Sequence, residues 1–387
     1  MKPLNLAPIY FDNNATTRVL PEVLKAMLPW FSEQYGNASS SNQMGQLAKE
    51  ALMAARAAVA KFLNASPAEI VFTSGATEAN HMAILGTLAT NPLRRRLVTS
   101  TVEHPSTLRL LDYLATTGIE IIKISVNAKG ELDMAALAEA VNENTALLTL
   151  MHANNETGVL FPIAEAAAIA KNQAAAFHTD AAQSAGKIAL DVRQLGCDLL
   201  SFSGHKLHAA KGVGVLFVRK GFTLQALIHG HQERNRRGGT ENQAGIVGLG
   251  VACQLAQTHI ALHGEQISIL RDRLQNGILA RISFAKLNST AINVPNTSNI
   301  CFSGLHGEEL LYRLDKAGLI ASLGSACTAG GTEPSHVLLA MGLNREDALS
   351  SIRFSLSRET TETEVELAIE TVVNVVTEMT AALAVGA

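Results

Sequence analysis

Short apolar runs alternate with helix-length stretches through the first two thirds of this 387-residue chain. No other feature narrows the possible folds as much. Runs at 70–73, 97–100, 120–124, 146–151, 174–177 and 199–202 have the length of strands, and 213–219 is a Gly-rich β-like stretch. Helical patterns occupy the intervals up to residue 88 and at 107–115, 134–141 and 163–171. This rhythm predicts an α/β fold: a mainly parallel sheet with helices on both faces. Upstream, 10–17 reads as an extended segment entering a polar turn, and 21–30 and 45–63 as helices. A long helix expected at 245–279 bridges to a second, α+β unit. Its strands are expected at 298–302, 320–322 and 352–355, its helices at 308–317 and 362–382, with a loop at 324–335.

In open α/β sheets, ligands sit beyond the carboxyl ends of the strands. The run at 174–177 delivers His178, Thr179, Asp180 and Gln183, and the run at 199–202 delivers Ser203, Gly204, His205 and Lys206. The segment between them has the length that a strand–crossover–strand unit requires. An acid and a lysine at two such ends suit pyridoxal phosphate, which takes a lysine for its Schiff base and a carboxylate for its pyridinium nitrogen. Taken singly, the acid also reads as a helix N-cap and the lysine as a solvated turn residue.

Other strand ends carry chemistry as well. Ser74-Gly75-Ala76-Thr77-Glu78 is a small-residue turn that opens a helix, either a phosphate cradle or a simple capping turn. His104 precedes Pro105, where an imidazole serves turn chemistry or stacks on a flat cofactor. Asn155 lies in a second polar strand-end segment, 152–158, and Gly238-Gly239-Thr240 is another turn suited to anions.

The formal charge of −3, with no basic block, argues against a nucleic-acid partner. No signal peptide or membrane span is expected, which places the chain in the cytoplasm. The four cysteines contain no C-x-x-C pair, so neither a zinc site nor a disulfide framework is expected. Cys197, Cys253 and Cys301 sit in or beside apolar runs and read as small buried hydrophobes. Cys327 lies among small and polar residues in a loop, as an accessible nucleophilic thiol requires.

The ordered set YFDNNATT (10–17), SGATEAN (74–80), VEHPS (102–106), HANNETG (152–158), HTDAAQ (178–183), SFSGHK (201–206), RRGGTEN (236–242), GSACT (324–328) and SIRFS (351–355) resembles the class V aminotransferase family. More narrowly it resembles the NifS/IscS-type cysteine desulfurases of group I, on the NifS-like branch. The resemblance implies a fold-type-I architecture: a large domain with a mainly parallel seven-stranded sheet (16–260) and a smaller α+β domain (1–15 and 261–387). It also implies roles for individual residues. Lys206 carries pyridoxal phosphate and moves protons, Asp180 pairs with the ring nitrogen, Gln183 binds the ring hydroxyl and His104 stacks on the ring. Ala76, Thr77, Ser203, Gly204 and His205 surround the phosphate, joined by Thr240 from the partner in a homodimer. Asn155 contacts the cofactor and, with Arg353, holds the substrate carboxylate. Sulfur from L-cysteine passes to Cys327 as a persulfide, alanine leaves, and an iron–sulfur scaffold protein accepts the sulfur; Cys327 then transiently helps to hold a nascent cluster. A selenocysteine lyase, a class V aminotransferase and a non-catalytic iron–sulfur assembly scaffold are the competing readings. Ala38, Asn42, Ala209-Ala210 and Leu323 depart from the family pattern.

Overall fold

The computed structural model describes residues 8–323 and 333–386. Among them, twelve strands run in chain order: β1 (Ile9–Tyr10), β2 (Ile70–Thr73), β3 (Arg96–Ser100), β4 (Glu120–Ile124), β5 (Thr145–Met151), β6 (Ala176–Asp180), β7 (Leu199–Ser203), β8 (Gly214–Val218), β9 (Ala285–Leu287), β10 (Thr297–Phe302), β11 (Leu319–Ile320) and β12 (Ser351–Ser355). Seven form one sheet in the order β2-β8-β7-β6-β5-β3-β4. Its pairings are parallel except at β8, which runs antiparallel to both β7 and β2.

Side-chain alternation divides this sheet between two apolar layers. Phe72, Val98, Leu148, Leu200 and Phe217 face the largest cluster, with the helices Gln43–Phe62 and Ile163–Asn172. Their neighbours Val71, Leu97, Leu147, Leu199 and Leu216 face the helices Ala76–Thr90 and Pro105–Thr116. Covered on both faces, β5 is buried at every position, whereas the edge strand β4 exposes Glu120 and Lys123.

The 39-residue helix Gln243–Arg281 spans two cores. Its first half places Ile246, Leu249 and Ala252 in the large cluster. Its second half places Leu270, Leu274 and Ile278 in another, with β10, β12 and the helices Gly307–Lys316 and Glu362–Gly386. The antiparallel sheet β12-β10-β9 and the parallel pair β1-β11 frame this second core. The span Gln243–Leu262 is long and apolar enough to cross a membrane by composition, contrary to the sequence expectation. Half of that stretch is buried within the protein, as suits a core helix.

Three boundaries differ from expectation for identifiable reasons. The strand expected at 174–177 runs over Ala176–Asp180. His178 is fully buried and bonds Thr149 Oγ1 and Ser201 Oγ on the flanking strands, each at 2.8 Å, so these polar residues belong to the sheet. The helix expected at 21–30 divides into Pro21–Met27 and Pro29–Ser32, because Pro29 has no N–H to continue the ladder. The strand expected at 320–322 is Leu319–Ile320, with Ser322 making an isolated bridge to Arg353. Of the loop expected at 324–335, residues 324–332, Cys327 included, lie outside the described residues. Asn42, a departure from the family pattern, has a local purpose. Its side chain accepts from Gly45 N at 2.9 Å and caps the helix Gln43–Phe62.

Candidate active site

Asp180 ends β6, and Lys206 lies three residues past the end of the adjacent parallel strand β7, in the turn Gly204–Lys206. The Asp180 carboxylate is 6% exposed and accepts from Asn80 Nδ2 at 2.7 Å and from Ala182 N at 2.8 Å. Asn80 was not singled out from the sequence. It is fully buried in the helix Ala76–Thr90, but in the sequence it stands beside Glu78 and His81, so nothing marks it as the inward amide.

Lys206 Nζ donates to the main-chain carbonyls of Asn14 and, at 2.8 Å, Ala15. Asn14 is a junction. Its carbonyl also accepts from Gln183 Nε2 at 2.9 Å, and its side-chain Nδ2 donates to Asn155 O at 3.1 Å and Thr297 Oγ1 at 2.9 Å. Arg353, 2% exposed on β12, donates to Asn155 O at 2.9 Å and pairs with Asp12 Oδ1 at 2.6 Å. Asn155 and Arg353 are therefore adjacent. The guanidinium already binds one carboxylate with the bidentate-capable fork a substrate carboxylate would use. Burial raises the Asp12 pKa, and Arg353 opposes that rise.

On the other side, the helix Ala76–Thr90 begins after Gly75 with no side-chain cap for its first N–H groups. Ala76 is half-buried and Thr77 exposed there. A Cβ on Gly75 would lie 3.7 Å from Ser203 Oγ, which places the end of β7 beside this turn. A Cβ on Gly214 would fall 2.6 Å from the Gly75 backbone, so glycine alone permits this approach of β8. His205 Nδ1 meets Thr16 Oγ1 at 3.1 Å, and burial followed by Lys206 pushes the imidazole down to about 4. Thr240 is exposed, beyond a segment in which Glu233, Arg234 and Asn235 all have left-handed φ angles of 48–62°. Glu233 holds that segment by accepting from Arg56 and, at 2.9 Å, from Phe72 N.

His104 caps the helix Pro105–Thr116, its Nδ1 accepting from Ser106 N at 3.1 Å. Burial lowers its pKa, while Asp180 acts in the opposite direction. Beneath it lies Glu103, 1% exposed, which accepts from Ser100 Oγ at 2.6 Å and Met151 N at 3.1 Å. Burial pushes this carboxyl up to about 8. A carboxyl that ionises near 4.5 unfolded and near 8 folded contributes stability below the lower value and loses it as pH rises toward the upper. The Glu103→Gln variant is expected to match the parent near pH 4.5 and to exceed it at pH 8 by about 3–5 kcal/mol, at ~1.4 kcal/mol per pH unit. Urea unfolding at both pH values checks this; an equal difference at the two would contradict the buried neutral carboxyl.

Cys197, Cys253 and Cys301 are all buried, as expected, and burial raises each thiol, Cys197 to about 12. Cys327 has no described position. Among the described residues, no cluster of three or more His, Cys, Asp or Glu side chains could hold a metal ion.

The donor set fits pyridoxal phosphate. A buried carboxylate with two neutral donors matches a pyridinium, an adjacent lysine matches an aldehyde, and an uncapped helix start with serine, histidine and threonine nearby matches a phosphate. The sheet and this constellation define a fold-type-I pyridoxal-phosphate enzyme. The class-V aminotransferase profile matches residues 9–367. A curated cysteine desulfurase from Gluconacetobacter diazotrophicus is 47% identical over 96% of this chain and 94% of its own. The cysteine desulfurase NifS of Azotobacter vinelandii is 46% identical over 97% and 94%. Among solved structures, a NifS-like protein superposes with a TM-score of 0.90 at 35% identity over 96% of this chain and 99% of that one. Another, titled SspA in complex with cysteine, superposes at 0.81 with 36% identity over 91% and 99%. The chain belongs to the class-V aminotransferase family, and like that family it depends on pyridoxal phosphate.

Proposed function

We propose that this protein is a cysteine desulfurase that converts L-cysteine to L-alanine and passes the sulfur to Cys327 as a persulfide. The observation that carries the reading is the Asp180–Lys206 pair at adjacent strand ends, in a chain 46–47% identical along nearly its whole length to proteins of that activity. When bound, pyridoxal phosphate supplies an electron sink for the substrate's α-carbon. The chain's own residues do the rest. Asp180 holds the ring nitrogen, His104 covers the ring face and Gln183 reaches its hydroxyl. Ala76, Thr77, Ser203, Gly204 and His205 hold the phosphate. Arg353 and Asn155 orient the substrate carboxylate, and Lys206 moves a proton between Nζ and the α-carbon. The Cys327 thiolate attacks the substrate sulfur, so the C–S bond breaks as the S–S bond forms; the electron pair of the broken bond stays with the substrate carbon, the β-carbon takes a proton, and the carbon skeleton leaves as alanine.

We extend this to a cytoplasmic homodimer in which the partner's Thr240 completes the phosphate site. Its sulfur goes to an iron–sulfur scaffold protein, nitrogenase maturation included, and Cys327 transiently holds the nascent cluster. The NifS names of the relatives support that pathway. The two main apolar clusters support a division near residue 260, although Val337, Leu338 and Met341 join the larger one.

The test is alanine release from L-cysteine by cofactor-loaded protein, parent beside Cys327→Ala. Release by the parent and none by the variant is expected. Equal release by both would remove Cys327 as the sulfur acceptor and favour a lyase of the selenocysteine type. Transfer of the amino group to a keto acid, with no alanine from cysteine, would favour an aminotransferase.

A further inference from the structure

Ser106 is gripped at two points by the helix Ala76–Thr90. The fully buried Asn80 amide donates from Nδ2 to Asp180 Oδ2 at 2.7 Å and to Ser106 Oγ at 3.3 Å. Its neighbour His81 donates from Nε2 to the Ser106 carbonyl at 3.0 Å, since a carbonyl can only accept. Asn80 Oδ1 is buried with no partner among the described residues, so the amide is held through its N–H side alone. The Asp180 carboxylate accounts for that orientation, because an amide oxygen turned toward it would be repelled. One side chain thus ties Ser106 to the acid at the end of β6.

Ser106 in turn faces His104. Its Oγ lies 2.8 Å from His104 Nδ1, and its main-chain N–H donates to the same atom at 3.1 Å. Pro105, the first residue of this helix, has no N–H, so Ser106 supplies the first donor that a cap can satisfy. A main-chain N–H can only donate, which makes Nδ1 an acceptor. The neutral imidazole then carries its proton on Nε2. Ser106 Oγ receives an N–H from Asn80, and its own hydroxyl proton is left to turn toward Nδ1.

We propose that Ser106 is a positioning residue for His104. Its hydroxyl, oriented by Asn80, holds the imidazole as the neutral Nε2–H tautomer and in register with Asp180. This rests on the reading of His104 and Asp180 as residues that contact the cofactor. A neutral imidazole lies over a protonated pyridine ring without charge repulsion, whereas an imidazolium would oppose the cation that Asp180 sustains. A proton arriving at Nδ1 would also meet the Ser106 N–H head-on. The surroundings agree: burial lowers the His104 pKa against the pull of Asp180, and Lys206 and His336 act with burial.

The experiment records two-bond proton–nitrogen correlations on the full chain carrying isotope-labelled histidine, without and with pyridoxal phosphate, near neutral pH. The signals missing from His104→Gln are those of His104. The parent is expected to show a protonated Nε2 and an unprotonated, hydrogen-bonded Nδ1. Ser106→Ala keeps the main-chain cap and removes only the hydroxyl. It is expected to move Nδ1 toward the position of a free acceptor nitrogen and to slow alanine release from L-cysteine roughly fivefold, the weight of one lost hydrogen bond. Ser106→Thr, which restores a hydroxyl, is expected to return both readouts to the parent. A proton found on Nδ1 of the parent would overturn the proposal, and that observation needs no variant to fold. An Nδ1 signal or a turnover left unmoved by Ser106→Ala would do the same. His104 signals indifferent to added pyridoxal phosphate would instead remove the reading beneath it, whatever the tautomer.

Discussion

Replacing Lys206 by alanine is expected to abolish covalent attachment of pyridoxal phosphate and to lower alanine release from L-cysteine by roughly 10³-fold or more. Two losses coincide in that variant. The amine that anchors the cofactor disappears, and so does the group that moves the substrate's α-proton, which alone contributes roughly 10²–10⁴-fold. The fold should survive, because Lys206 is half-buried in a short turn and its described bonds run to the main-chain carbonyls of Asn14 and Ala15. The Asn14 carbonyl keeps Gln183 Nε2 as a donor. The measurement is absorbance of the purified variant with added cofactor, followed by product analysis. Covalent cofactor with undiminished turnover would show that another residue carries the chemistry.

The second large effect is expected at Asp180. Asp180→Asn keeps the shape and removes the charge, so its single amide oxygen can accept from Asn80 or from Ala182 N but not from both, and the ring nitrogen loses its anionic partner. Breaking a buried charge pair costs roughly 3–5 kcal/mol. Turnover is therefore expected to fall by about 10²–10⁴-fold, with weaker cofactor retention on dialysis. The neighbouring amide sharpens this test. Asn80 Nδ2 donates to Asp180 Oδ2 at 2.7 Å, and an asparagine at 180 meets it favourably only with its own amide oxygen turned toward Asn80. The cofactor side then receives an amide in place of a carboxylate oxygen or no second acceptor at all. Parent-like turnover and retention in Asp180→Asn would contradict the pairing.

Much of the large sheet was legible because its strands are buried on both faces and write themselves as uninterrupted apolar runs. The match at β2, buried at every position, is complete. At β6 the pattern failed, since His178, Thr179 and Asp180 look like a loop yet continue the strand. The polar cost of burying His178 is offset by Thr149 and Ser201 on the adjacent strands, a compensation visible only once the strands are paired. The site divides along the same line. Asp180, Lys206, His104 and Arg353 have side chains whose chemistry announces itself. Asn14 receives Lys206 through a main-chain carbonyl, which every residue possesses and no sequence marks. Nothing in the sequence marks Lys187 as a site residue. Its inward direction follows from Gln183 four residues earlier and Asn14 far off in sequence, and single-sequence periodicity carries no such information.

That remoteness has a consequence for how the protein is made. Asn14 bonds Ser355, 341 residues away, as well as Thr297 and Lys206. Chains emerge from the ribosome N-terminus first, and early-folding segments organise before late ones appear. The seven-stranded sheet, all of whose strands precede residue 219, can form while the C-terminal strand is still unsynthesised. The dock of the catalytic amine cannot, because its keystone from the beginning of the chain waits for β12 near the end. Cofactor capture should therefore be among the last events of biogenesis, timed by translation itself, so that a truncated or stalled chain stays chemically silent toward cysteine.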